Sequence, residues 1–164
     1  MEDSLGTRRN ERDTLEGALD WYRAVVPHKV EGLGLDQARR VLTPTGLSVL
    51  GVIKHLAWVE RGWFRETFAG EEVEFVDSDL DNSAEFLIDQ DDTVESVLAF
   101  YRDEVERSRL ITGSSSLDDV SARSTTFHGH VSLRWILVHM LEETARHAGH
   151  LDIMRETIDG RTGD

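Results

Sequence analysis

Towards the end of the chain, in His139-Met-Leu-Glu-Glu-Thr-Ala-Arg-His147-Ala-Gly-His150, a carboxylate and an imidazole stand one helical turn apart. The run from Val131 to Ile158 has the spacing of an amphipathic helix. On a wheel of about 100° per residue, Leu133, Ile136, Met140, Thr144, Leu151, Met154 and Ile158 form one apolar stripe. Glu143 and His147 fall inside it. Burying both is costly unless something pairs with them, and a divalent metal suits a carboxylate and an imidazole together. A salt bridge from Arg134 or Arg146 to Glu143 is the competing account. His139 and His150 lie on the border of the stripe, roughly 40 to 60° outside its edge. They are candidates for the wall of a site or for partners of its ligands.

A second polar group is aimed at a core from another helix. Ser48 reads as an N-cap for a helix from Val49 to Ala69, with Gly70 just beyond its end. Its stripe of Val52, His55, Leu56, Val59 and Trp63 includes His55. Taken alone, a histidine in such a stripe is more often a hydrogen-bonded core residue than a ligand. Two ligands from one helix and a third from a facing helix would match the way bundles build metal sites. Spacing leaves the metal and salt-bridge accounts open. His128 and His130, beside Gly129, read as exposed turn residues, and His28 as a helix-end residue. Trp58, Trp63 and Trp135 read as core or pocket lining.

The elements that must position these groups are all helical. The first runs from Arg8 to about Glu31 with Leu15, Leu19, Tyr22, Val26 and Val30 on its apolar side, and Pro27 should kink or end it near Val26. A short helix over Asp36–Val41 and a turn at Thr43–Gly46 follow. The stretch between Gly70 and Gln90 is acidic and aperiodic, with one helical turn expected near Ser83–Leu87. Connections this long tend to be functional or to cross a bundle end. A third long helix starts near Thr93, with Val94, Val97, Leu98, Tyr101, Val105 and Leu110 as its buried side, and ends at Gly113–Ser116. No sustained period-two alternation marks a sheet, so the expected fold is an all-α four-helix bundle. A single domain over residues 1–164 is expected, with residues 1–7 frayed.

Composition narrows the chemistry. The chain of 164 residues has no cysteine, so only histidines and carboxylates remain as ready transition-metal ligands, and any thiol must come from outside. The 32 acidic against 18 basic residues give a net charge of −14, which argues against nucleic-acid binding. The acidic run from Glu71 reads as a solvated surface and lacks the spacing of a calcium loop. No apolar run reaches the length of a membrane span and no export signal opens the chain, so no membrane partner and a cytoplasmic location are expected.

The segments Leu50-Gly-Val-Ile-Lys-His55-Leu-Ala-Trp-Val-Glu60-Arg-Gly-Trp-Phe64 and Leu133 to Asp152 together resemble the DinB-like superfamily of metalloenzymes. Within it they resemble a bacterial branch of unknown function similar to mycothiol-dependent transferases and isomerases. The resemblance spans nearly the whole chain. It implies an up-down-down-up bundle with one long crossover. It also implies a divalent metal, zinc or nickel in many relatives, held by His55, Glu143 and His147. Many relatives carry histidine where Glu143 stands, while the branch similar to mycothiol-dependent maleylpyruvate isomerase has a His, Glu, His set. The implied activity is activation of a low-molecular-weight thiol co-substrate for transfer to an electrophilic small molecule, with His139 and His150 as catalytic candidates that orient ligands or move protons. A metal-dependent hydrolase, with Glu142 or Glu60 as base, and a non-catalytic bundle stapled by its ion are the alternatives. A homodimer is expected from the same resemblance.

Overall fold

The computed structural model describes residues 10–75 and 84–163. The expected fraying of residues 1–7 lies outside them. Helix α1 (Glu11–His28) starts on Asn10, whose side chain accepts from the Asp13 amide, and ends one residue past Pro27. Helix α2 (Leu35–Arg39) is a short link whose N-cap is Gly34, so it begins and ends slightly earlier than the sequence suggests. Helix α3 (Val49–Glu60) is capped by Ser48 through the Gly51 amide. It then widens into a π-helical segment, Arg61–Phe68, where the expectation was one α-helix to Ala69. The wider turn shows in the Ala69 amide, which donates to the Phe64 carbonyl five residues back at 2.9 Å. A 3₁₀ turn at Ala84–Phe86 falls where a helical turn was expected. Helix α4 (Val94–Gly113) starts on a Thr93–Ser96 capping box, and α5 (Leu133–Asp159) runs from Ser132 to a left-handed Gly160.

Side-chain contacts fix the helix directions. Arg134 at the start of α5 bonds Glu11 at the start of α1, and Arg155 near its end bonds the Lys29 carbonyl just past α1, so α1 and α5 are parallel. Lys54 in α3 meets Asp92 just before α4, and Arg65 meets Glu104 further along both, so α3 and α4 are parallel too. Arg23 reaches Glu60, and Arg12 reaches the Thr112 and Ser115 carbonyls, which sets the two pairs antiparallel. The bundle is therefore up-down-down-up. Because α3 and α4 point the same way, they need a long connection between them, in line with the one long crossover that the resemblance implies.

The apolar interior forms two clusters. One gathers Val26, Leu50, Ile53, Leu56, Val97, Tyr101, Leu151 and Met154; the other gathers Leu19, Phe64, Phe68, Leu133, Ile136, Leu137 and Met140. Between them along each long helix sit buried polar residues: Arg23 in α1, Glu60 after Ala57, Glu104 and Ser108 in α4, and Thr144 and His147 in α5. The sequence reading of α4 needs one correction. Leu110 is 69% exposed, and the buried row runs instead through Val97, Tyr101, Glu104, Ser108 and Thr112. Glu104 holds a core position because Arg61 and Arg65 neutralise it, while Ser108 and Thr112 donate to the Glu104 and Arg109 carbonyls. No strand occurs among the described residues, and no described helix is long and apolar enough to cross a membrane.

Candidate metal centre

The belt between the two apolar clusters brings His55, Glu143 and His147 together. His55 Nε2 lies 3.3 Å and His147 Nε2 3.1 Å from the same Glu143 Oε1. One ligand atom from each of the three residues can be chosen so that all lie within 4.8 Å of one another. Bonds near 2.0–2.2 Å in a tetrahedral shell put neighbouring ligand atoms about 3.3 Å apart. The two contacts to Glu143 are close to that edge length, and a donor set of two imidazoles and a carboxylate suits a divalent ion such as zinc. The Arg146 account of Glu143 is observed and leaves room for the metal one: its Oε2 accepts from Arg146 at 3.2 Å, while its Oε1 lies against the two imidazoles. Arg134 is engaged elsewhere, with Glu11 and Asp118.

Sequence reasoning missed the group that orients His55. Its Nδ1 lies 2.9 Å from Glu85 Oε2, on the 3₁₀ turn of the crossover, and Phe86 stacks on its ring at 4.0 Å and 15°. A carboxylate on the outer nitrogen of a ligating histidine fixes its orientation and raises its basicity. The signal lay in the expected helical turn within the acidic stretch, but nothing in the spacing tied Glu85 to His55. The turn can press against α3 because Gly51, one turn before His55, has no side chain: a Cβ there would lie 2.4 Å from the Phe86 carbonyl oxygen. Lys54 then binds Asp89 at 2.8 Å and Asp92 at 2.7 Å. The acidic run is thus not only solvated surface, since Glu85, Asp89 and Asp92 dock the crossover onto α3.

Two carboxylates converging on His55 favour a cation at its ring. Burial works against charging His55, but hydrogen bonds to Glu143 and Glu85 outweigh it and raise its pKa. Hydrogen bonds from His147 and His55 hold the Glu143 carboxyl well below the ordinary carboxylate range.

The structure separates the two border histidines. His150 Nδ1 lies 3.4 Å from His147 Nδ1, beside the cluster. His139 stands one turn before Glu143 and stacks on Trp135 at 5.1 Å, with Trp63 edge-on at 4.6 Å. Burial lowers the pKa of both histidines, which favours their neutral forms. Trp63 reaches α5 from the π-helical segment. The loop between α4 and α5 is hooked onto that segment's end by hydrogen bonds from the Ala122 and Arg123 amides to the Phe68 and Thr67 carbonyls. Between loop, segment and α5 lies a cavity of about 650 Å³ lined by Trp63, Trp135 and His139 among others. His128 and His130 are exposed, as expected, although His128 also lines this cavity. Trp58 packs on Phe75 and Phe100, away from it. Glu60 is excluded as a base by its buried two-pronged bond to Arg23, at 2.7 and 2.8 Å.

A family model described as mycothiol-S-transferase matches residues 14–160. No curated protein matches the chain.

Proposed function

This chain belongs to the mycothiol-S-transferase family, and we propose on that premise that it transfers a low-molecular-weight thiol to an electrophilic small molecule at a divalent metal held by His55, Glu143 and His147. The observation that carries the reading is the convergence of those three side chains inside the bundle, with His55 oriented from behind by Glu85. Zinc or nickel, when bound there, supplies a Lewis acid that holds a thiol as its thiolate near neutral pH.

The chain's own residues supply the rest. Glu143 contributes the negative charge of the ligand set, and Arg146 on its second oxygen keeps Oε1 turned inward. In the reaction the thiol gives up its proton, sulfur forms a bond to the electrophilic carbon, and the leaving group departs with its bonding pair. His139, neutral and facing the cavity beside the cluster, is the proton acceptor of this reading. His150 orients His147 through its Nδ1. The small-molecule partners, the homodimer and the cytoplasmic setting belong to the same proposal.

The test combines elemental analysis of tag-free protein with conjugation assays. Expected are about one zinc or nickel per chain, loss of that metal in His147→Ala, and metal-dependent conjugation of a model electrophile with mycothiol. A metal-loaded protein whose rate with mycothiol, bacillithiol or glutathione never exceeds the metal-free control would leave a structural staple. Ester or amide hydrolysis without thiol would point to a hydrolase instead.

A further inference from the structure

The crossover that brings Glu85 and Phe86 to His55 is fastened at a second place. After Leu87 and Ile88 the chain turns at Asp89–Asp92, where the Asp92 amide donates to the Asp89 carbonyl at 3.2 Å and Asp92 Oδ2 accepts from the Asp89 amide at 2.8 Å. Lys54 grips this turn from α3 through both aspartates. Arg39 grips it from α2. Its Nη2 donates to the Asp89 and Gln90 carbonyls at 2.8 and 3.0 Å, and also to the Asp92 carbonyl. Three carbonyl oxygens crowded round one point repel one another unless cationic N–H groups face them, and a guanidinium supplies such groups with a permanent charge.

A helix of five residues is too short to persist on its own hydrogen bonds, so packing must hold α2 in place. Ala38, wholly buried, seats it in the apolar cluster of Val49, Leu50 and Ile53, and Arg39 is the next residue. The short helix thus presents a cation at a fixed point beside α3 to a turn fifty positions further along the chain. Phe86 and Ile88 pack on the same cluster, which leaves little slack between the Asp89–Asp92 turn and the 3₁₀ turn at Ala84–Phe86. A shift of one turn therefore moves the other. The Phe86 ring lies 4.0 Å from that of His55 and 5.8 Å from that of His147, so both imidazoles face the displaced group.

We propose that Arg39 is a positioning residue of the metal centre: from α2 it fixes the Asp89–Asp92 turn, and through that turn it keeps Glu85 and Phe86 on His55. Its effect on a bound ion rests on the metal reading above, whereas its effect on the His55 ring does not.

The experiment compares wild type with Arg39→Ala, Arg39→Lys, Glu85→Ala and the double variant Arg39→Ala/Glu85→Ala. Zinc affinity comes from competition with a chelating dye, and site geometry from the visible absorption bands of bound cobalt(II). Arg39→Ala is expected to weaken zinc by about three- to tenfold, less than the 10–100-fold typical of a direct partner of a ligating histidine, and to alter the cobalt bands. Arg39→Lys should recover most of the loss, because an ammonium also carries three donors on one nitrogen. In the double variant Arg39→Ala should add little to Glu85→Ala, since the two act through one contact. NMR of the metal-free protein gives a readout that needs no ion: the His55 Nδ1 proton, protected from exchange by Glu85, should be lost in Arg39→Ala as in Glu85→Ala. A lower Tm in Arg39→Ala with unchanged cobalt bands and an unchanged Nδ1 proton would make Arg39 a structural residue alone and overturn the proposal, as would two zinc losses that simply multiply. Wild type that takes up neither zinc nor cobalt would sink the metal reading, and the Nδ1 proton would still decide whether Arg39 positions His55.

Discussion

The His55 imidazole meets Glu143 with one nitrogen because its other nitrogen is tied to Glu85 at 2.9 Å. Glu85 comes from a part of the chain with no helical period, so it acts through position alone. Removing it leaves the three candidate ligands in place but frees the His55 ring. Partners of this kind typically contribute 10–100-fold to metal affinity. Glu85→Ala is therefore expected to weaken zinc binding by about 10–100-fold, with Glu85→Gln intermediate, because the amide oxygen can still accept from Nδ1. Competition with a chelating dye measures both. Equal zinc affinity in wild type and Glu85→Ala would show that stacking by Phe86 suffices to hold the ring.

At the scale of elements, the docking of the crossover on α3 depends on Gly51. Alanine in a helix interior is ordinarily better than glycine by about 1 kcal/mol. Here its Cβ would fall 2.4 Å from the Phe86 carbonyl oxygen, so the 3₁₀ turn must shift. Overpacking of this sort costs about 1–3 kcal/mol, enough to cancel or reverse the propensity gain. Gly51→Ala is expected to lose zinc affinity at least as severely as Glu85→Ala, since Glu85 and Phe86 move together, while thermal stability stays level or falls. A clear rise in Tm with unchanged zinc affinity would contradict the close docking. The same element shows what a sequence can disclose. Spacing marked His55, Glu143 and His147 as polar interruptions of apolar stripes of period 3.6, and the family resemblance joined them into one candidate set. Glu85 was not, because its contact joins residues thirty positions apart across an aperiodic stretch. The π-helical turn was hidden as well, since buried Phe64 and Phe68 are four apart and suit either helix. Leu110 was misplaced because the stripe rule assigns the core to apolar residues. In α4 the core side goes to Glu104, whose charge is met by two arginines from the π-helical segment.

Across the whole molecule, the candidate metal centre shares its level with a second buried polar pair, Arg23–Glu60, whose side chains are 3% and 1% exposed. That pair links α1 to α3 where the apolar contacts are interrupted, much as the metal centre links α3 to α5. Asp20 adds a further bond to Arg23 at 3.0 Å, and Phe64 lies under the guanidinium at 5.5 Å. A buried ion pair is not necessarily a net source of stability, but removing one partner strands the other in a low-dielectric interior. Arg23→Met is therefore expected to cost about 3–5 kcal/mol in urea unfolding at fixed zinc, a large part of the 5–15 kcal/mol typical of a domain. The double variant Arg23→Met/Glu60→Met removes both charges and should recover most of that loss or exceed the wild type. If instead the double variant is as unstable as the single one, the pair stabilises the bundle through its hydrogen bonds. The belt would then be a structural layer in its own right, with the metal centre one part of it.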